Sequence, residues 1–383
     1  MGLKAFDSRQ AYLTLFLVWL SYIGLYLNRR NISIVLPVLI REMKISYSEA
    51  GFLVSAFFVT YALAQIPSGW LADRLGGLKT LVAGNIITFL FSMMSGLAVN
   101  YSMLSLSRVF CGVGQGMGWP SSTKLVSQSF PEGGICVRSS YLRRCCWILH
   151  ITNSFRSSFR VVWLEDGFPH PLPNPTVSHI PPTSWFRNFY FNMGDVGSIG
   201  FRRVFRDRVV FSAALSYFCW KFGFEGLSYW LPTFFFEALQ NAGLIVGVFL
   251  LIGLFAMPLG GVLSDRLSRV SVIEISLILA GFLLFIFTIS EDVISLAALM
   301  LASFSLQMSE GIYFTIPADR LKSDLAGTGA GFINSLGQAG SLSSPLITGI
   351  VIELYHSYTI AFLLYSLLSI LGFSIIWLTK HLQ

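Results

Sequence analysis

The 383-residue sequence predicts an all-α polytopic membrane protein of two similar helical bundles, and three observations predict it. Hydrophobic residues make up 54% of the chain and charged residues only 12%, with a mean hydropathy of +0.67. A soluble domain carries about 25% charged residues, so the composition argues against a water-soluble enzyme. Ten apolar segments are each long enough to cross a hydrocarbon core of ~30 Å, which takes about 20 residues of helix. Finally, Gly69-Trp-Leu-Ala-Asp73-Arg74-Leu75 recurs as Gly261-Val-Leu-Ser-Asp265-Arg266-Leu267, each copy after the second span of its half and each preceded by a proline, Pro67 or Pro258. Such a repeat fits two halves related by an axis along the membrane normal.

The spans follow in order. Residues 11–40 come after only about ten polar residues and lack a small-residue cleavage site, so they read as a first spanning helix and not as a removed signal. Spans 49–71, 79–98 and 102–128 complete a first group, assigned to an N-terminal bundle over residues 1–130. Spans 209–236, 242–263, 270–290, 293–317, 327–352 and 358–379 make helices 7–12 of a C-terminal bundle over 209–383. Lys4 and Arg9, Arg74 and Lys79, Arg202 to Arg208, Arg266 and Arg269, Arg320 and Lys322, and Lys380 then fall on one side of the membrane. The opposite loops hold Asn100, Glu237, Glu291, Asp292, Glu353 and His356, with Arg41 and Lys44 as exceptions. By the positive-inside rule the chain is expected in the cell membrane, multi-pass, with both termini cytoplasmic.

This alternation requires an even number of spans between the groups. Residues 131–208 hold ten Arg against five acids, seven of the fourteen prolines, six of them between Pro169 and Pro182, and no long apolar window. Two readings stand for this Arg- and Pro-rich segment: frame-disrupted helices 5 and 6 with the central loop, which we favour, or a polar cytoplasmic loop. The segment also supplies +5 of the net charge of +7, so the pI of 9.2 is a poor sign of nucleic-acid binding. The five cysteines form no CxxC pair, and neither a metal nor a cofactor is expected.

Charges inside spans cost ~2.5–3.5 kcal/mol each on insertion scales and are functional hypotheses by default. Arg29 lies inside the first span with residues 32–40 still to come, and it shares a helix face with Tyr22, Tyr26 and Ser33. It reads either as part of a cavity wall or, with Arg30, as the end of a shorter helix at the outer interface. Lys221 occupies the corresponding place in the second half, with Glu225 four residues on. That spacing allows an intrahelical ion pair. It equally allows Lys221 to face Arg29 across a cavity and clamp one anion, Arg by its fork and Lys as a point charge, with Glu225 as a coupling acid.

The motif from Gly69 to Gly76, with its second copy, resembles the signature loop of the major facilitator superfamily. Within that superfamily, Tyr26-Leu-Asn-Arg29 to Pro37 and Gln115-Gly-Met-Gly-Trp119-Pro120 resemble the organophosphate:phosphate antiporters. There the arginine corresponding to Arg29 binds phosphate, and Lys221 stands where a second phosphate-binding arginine is found. Tyr61 to Pro67, with Gln65 where some antiporters carry lysine, is more similar to the anion:cation symporters, which carry hexuronates and other organic acids. Asn28 and Gln115 stand where those symporters often have acids. The resemblance implies the major facilitator fold of two pseudo-symmetric six-helix bundles. It also implies alternating-access transport of a small organic anion (a sugar phosphate, glycerol phosphate or organic carboxylate), by antiport with inorganic phosphate or symport with a proton or sodium.

The expected substrate-binding residues are therefore Arg29, Lys221, Tyr22, Tyr26, Tyr61, Gln65, Gln115, Trp119 and Asn334, with Glu225 for coupling. Gly69, Asp73, Arg74, Gly76, Asp265 and Arg266 form the gating motif, in which the aspartates are expected to meet a helix N-terminus. The glycines at 112, 114, 116 and 118 read as helix packing and not as a nucleotide loop, since no strand precedes them and no Lys-Ser or Lys-Thr follows. No catalytic constellation appears. A monomer in the lipid bilayer is expected. The class-distinct alternative is a transport-inactive membrane protein, either a defective gene product or a binding and sensing derivative.

Overall fold

A computed structural model describes residues 8–129, 204–239, 242–321 and 323–381. The anomalous segment lies almost wholly outside these residues, so neither reading of it meets the structure. All ten expected spans are helical. The N-terminal half contains α1 (Ser8–Met43), α2 (Tyr47–Leu75), α3 (Gly77–Gly96), α4 (Tyr101–Gly116) and α5 (Gly118–Ser129). The C-terminal half contains α6 (Arg208–Leu239), α7 (Ala242–Leu251), α8 (Gly253–Arg266), α9 (Arg269–Ile289), α10 (Asp292–Ser309), a 3₁₀ turn (Tyr313–Thr315), α11 (Ile316–Arg320), α12 (Ser323–Tyr355) and α13 (Tyr358–His381).

Three of the ten spans are broken, which apolar periodicity does not reveal. The fourth breaks at Met117, between two glycines; the sixth breaks at Ile252; the eighth breaks after Ser309 into the 3₁₀ turn. Among the described residues, six stretches are apolar and long enough to cross a membrane by length and composition. The expected spans outside that set hold Arg29 (α1), Gln115 (α4), Lys221 (α6) and Asn334 (α12). Polar residues lower the hydropathy of the very helices that would line a polar site.

Local sequence sets the helix ends. Ser46 and Glu49 form a reciprocal capping box at the start of α2, which satisfies two orphan donors. Asp207 Oδ1 accepts the backbone N–H groups of Val209 and Val210, both at 3.0 Å, at the start of α6. Between α2 and α3, Gly76 adopts φ +92°, a left-handed conformation that a side chain would strain. The second motif copy has Ser268 at that place, and its hydroxyl instead caps α9 by accepting the Ser271 N–H at 3.0 Å.

The halves meet where α1 packs on α6 and α2 packs on α12. At the end opposite the motif loops, a hydrophobic cluster of Leu36, Phe57, Tyr229, Trp230, Ile352 and their neighbours straddles both halves. There α2 and α12 touch backbone to backbone: a Cβ at Gly51 would overlap the Pro345 carbonyl, and one at Gly349 the Tyr47 carbonyl. The seam is closed by Ser48 N–H, which donates to Glu353 Oε2 at 2.9 Å. Glycines on α4 likewise bring helices together, since a Cβ at Gly112 would overlap Thr60 and Phe57, as the packing reading expects.

Candidate functional site

The α1 helix runs unbroken through Arg29 and Arg30 to Met43, so neither arginine marks a helix end at an interface. Arg29 is 8% exposed. Its guanidinium carbon lies 4.4 Å from the Tyr61 ring centroid, 4.9 Å from that of Tyr26 and 5.6 Å from that of Phe57. Arg29 Nε–H donates to Gln115 Oε1 at 3.1 Å. Its two terminal nitrogens make no hydrogen bond to a described residue, and among the described residues no carboxylate lies within ion-pair distance of it. The Gln115 amide nitrogen is buried without a partner in the same layer. Arg29 thus has a cage of electron-rich ring faces, which attract a cation by cation–π interaction, and an open fork.

Tyr22 extends this wall, its ring 5.8 Å from Tyr26 and 6.2 Å edge-on from Trp119. Tyr22 and Tyr61 are buried, while Tyr26 and Trp119 are half-buried. Ser33, expected on the same face, turns its hydroxyl back to the Arg30 carbonyl at 2.7 Å. Gln65 and Asn334 are half-buried on α2 and α12, and neither makes a hydrogen bond to this cluster among the described residues.

The second half presents a different arrangement. Lys221 Nζ lies 3.2 Å from Glu310 Oε1, to which it donates a hydrogen bond, and 3.6 Å from Glu225 Oε1. Glu225 Oε2 in turn lies 2.9 Å from Arg30 Nη1, so it pairs with cations from both halves. Of the two alternatives for Lys221, the intrahelical pair is present, and its partner Glu225 is shared with Arg30 of the other half. As seen here, however, it is no bare cation beside Arg29, because two carboxylates hold it. Tyr229 strengthens the junction, with its hydroxyl 3.5 Å from the Arg29 carbonyl and its ring 5.1 Å from the Arg30 guanidinium.

Two buried charges escaped the sequence reading as site residues. Glu310 follows the last turn of α10 at the break in that span and is 3% exposed. Its signal was available, an acid within the apolar span 293–317, which is the criterion that singled out Arg29. Arg108, at 3% exposure, stacks 4.8 Å from the Phe57 centroid, and its Nε and Nη2 are buried without a hydrogen-bond partner. It pairs with no acid among the described residues. Among the described residues the layer thus holds four cations, Arg29, Arg30, Arg108 and Lys221, against two carboxylates. Uncompensated buried charge costs several kcal/mol per ion, which an anion would relieve.

At the motif loops, Lys124 Nζ on α5 lies 2.6 Å from Asp73 Oδ1, and among the described residues this carboxylate meets no helix N-terminus. Arg74 stacks over the Trp70 ring at 4.4 Å. Gly69 lies in ordinary contact with Pro120. Asp265 and Arg266 are exposed. The second loop is pinned three residues on, where Arg269 Nε lies 2.7 Å from Asp319 Oδ2 and Nη1 donates to the Thr315 carbonyl at 2.8 Å. Each half fastens its loop to the end of its fourth span, with the signs exchanged.

The family model described as Major Facilitator Superfamily matches residues 18–135, 160–345 and 243–382. The chain belongs to that superfamily. The match reaches into the anomalous segment from residue 160, further than the motifs alone reach. The chain is 26% identical over 385 residues to a probable sulfoacetate transporter of Cupriavidus necator, covering 90% of this chain and 88% of that one. It is 21% identical over 379 residues to a hexuronate transporter of Bacillus subtilis, with 88% and 87% covered. Its fold is similar to that of a bacterial homologue of the human lysosomal transporter Spinster, at TM-score 0.67 and 14% identity over 97% of this chain and 96% of that chain. The protein is a non-enzymatic, multi-pass transporter.

Proposed function

We propose that this major facilitator protein moves a small organic anion bearing a carboxylate or sulfonate group across the cell membrane by alternating access, with both termini cytoplasmic. One observation carries the reading: Arg29, buried midway along α1 in an aromatic cage, with its fork free of any described carboxylate. A guanidinium fork binds a planar carboxylate or a tetrahedral oxyanion through two parallel hydrogen bonds. Tyr22, Tyr26, Tyr61 and Trp119 give that anion's carbon skeleton a wall, and Gln115 holds the guanidinium in orientation while its unpartnered amide offers a further donor. The names of the relatives support the class, since sulfoacetate and hexuronates are both small organic acids. The junction of α1 with α6 gives the substrate contact with both halves, which is how binding would be coupled to their rocking.

The test is exchange of labelled sulfoacetate or glucuronate in proteoliposomes holding the full chain. Wild type is expected to exchange at least one of the two, and Arg29→Ala to lose that exchange while keeping its melting profile. Wild-type vesicles that exchange neither acid would favour the transport-inactive reading, and undiminished exchange by Arg29→Ala would remove Arg29 from the site.

A further inference from the structure

The two buried carboxylates are not equivalent. Glu225 has two cations, Arg30 at 2.9 Å and Lys221 at 3.6 Å, and it shares a helix with Lys221. Among the described residues Glu310 has one cation, Lys221 at 3.2 Å, and its buried Oε2 makes no hydrogen bond. It also belongs to a different stretch of chain, at the break between α10 and the 3₁₀ turn, so it and Lys221 separate if those elements shift. If a substrate anion drew Lys221 away, Glu225 would keep Arg30 and Glu310 would keep no cation. A buried carboxylate left unpaired costs several kcal/mol, and protonation removes that cost.

We propose that Glu310 is a tethered counter-anion for Lys221, which it surrenders on taking up one proton, so that Lys221 becomes a second cation for the substrate and anion and proton bind together. The inference rests on the anion-transport reading above and names its coupling ion. In the step, one proton from water bonds to a Glu310 carboxylate oxygen. The ammonium of Lys221 keeps its three protons and passes from that carboxylate to the substrate's oxyanion. No other bond changes, and a monoanion with one proton leaves the charge of the layer as it was. Among the described residues the charged and titratable groups facing Glu310 are Lys221, Glu225 and Tyr217 from α6, with Tyr26 and Arg30 from α1. Of the acids among them, Glu225 alone competes for the proton, and Arg30 opposes that.

The experiment has two arms. In the first, sulfoacetate or glucuronate, whichever wild type exchanges, is added to the purified full chain in weakly buffered detergent with a pH indicator. Uptake of about one proton per anion bound is expected, with affinity falling roughly tenfold per pH unit where Glu310 is otherwise ionised. Glu310→Gln is expected to bind without proton uptake, and Glu225→Gln to retain it. In the second arm, Glu310→Gln vesicles are expected to exchange the acid with little pH dependence and to lose accumulation driven by a proton gradient. Anion binding by wild type without proton uptake would overturn the proposal even if the variant misfolds. So would proton uptake that survives Glu310→Gln or disappears in Glu225→Gln. Wild type that binds neither acid counts against the anion reading itself, a separate outcome from any of these.

Discussion

The two cationic positions that look symmetric in sequence, Arg29 and Lys221, sit in opposite electrostatic surroundings. Arg29 has three aromatic faces, one glutamine and no described carboxylate, whereas Lys221 has two carboxylates within 3.6 Å. Pseudo-symmetry repeats the backbone plan without repeating the charge balance. In the first half the Arg29 guanidinium has no described counter-anion, while in the second two carboxylates hold the Lys221 ammonium.

Substitutions at the two positions should therefore fail in different ways. The largest effect is expected at Arg29, where truncation removes a buried charge partner of the substrate, a loss of ~2–5 kcal/mol or roughly 30- to several-thousand-fold in affinity. Arg29→Lys keeps the charge but loses the fork and the Gln115 bond, so binding measured by calorimetry should fall between wild type and alanine. Equal binding by Lys and Arg would show that the fork is unused.

At Lys221 the expected loss is first of stability. Lys221→Met leaves Glu310 buried without a cation, and breaking a buried pair costs ~3–5 kcal/mol. The double variant Lys221→Met with Glu310→Met replaces both charges by apolar groups and should recover most of the melting temperature in detergent. A double variant no more stable than the single would mean that Glu310 does not depend on this lysine.

Smaller effects belong to the ends of the molecule. Just beyond the span 327–352, hydrogen bonds from Ser48, from its side chain and then its backbone, hold the Glu353 carboxylate below the usual carboxylate range. A depressed value means that this contribution to closing the seam is present above the ordinary carboxylate pKa and is lost as pH falls through the depressed one. Glu353→Gln should mimic that loss at neutral pH. Labelling of Ala50→Cys, buried in the seam, by a membrane-impermeant maleimide should then quicken. An unchanged rate would show that the Glu353 bond does not hold the seam. Smallest of all is Asp73→Asn, because the Asp73 carboxylate is 73% exposed and exposed pairs contribute ~0–1 kcal/mol.

Much of the fold was legible because membrane insertion writes itself into local composition: each span is a run of apolar residues, and each half ends its second span with the same motif. The breaks at Met117, Ile252 and Glu310 were not legible, since the apolar run continues through them and tertiary packing decides where the backbone turns. Arg29 was legible as a buried charge because a charge with a further apolar stretch ahead of it has nowhere local to go. Tyr22 and Tyr26 followed from helical spacing, whereas Tyr61 lies on α2 and no spacing along α1 could place it. The partners across the halves were hidden, since Arg30 and Glu225 are 195 positions apart and nothing in either segment names the other. Asp73 misled for a related reason: a helix N-terminus is the generic partner of a carboxylate, and the lysine that takes its place, Lys124, lies in another span.

The contact of α2 with α12 at Gly51 and Gly349 bears on speed. Helices that interlock through long side chains must unthread them before they part, and each ordered chain adds to the barrier. Here main chain lies directly on main chain at two points, so nothing has to be unthreaded there, whereas the Tyr47–Trp230 and Phe58–Tyr229 ring pairs of the same seam have to part.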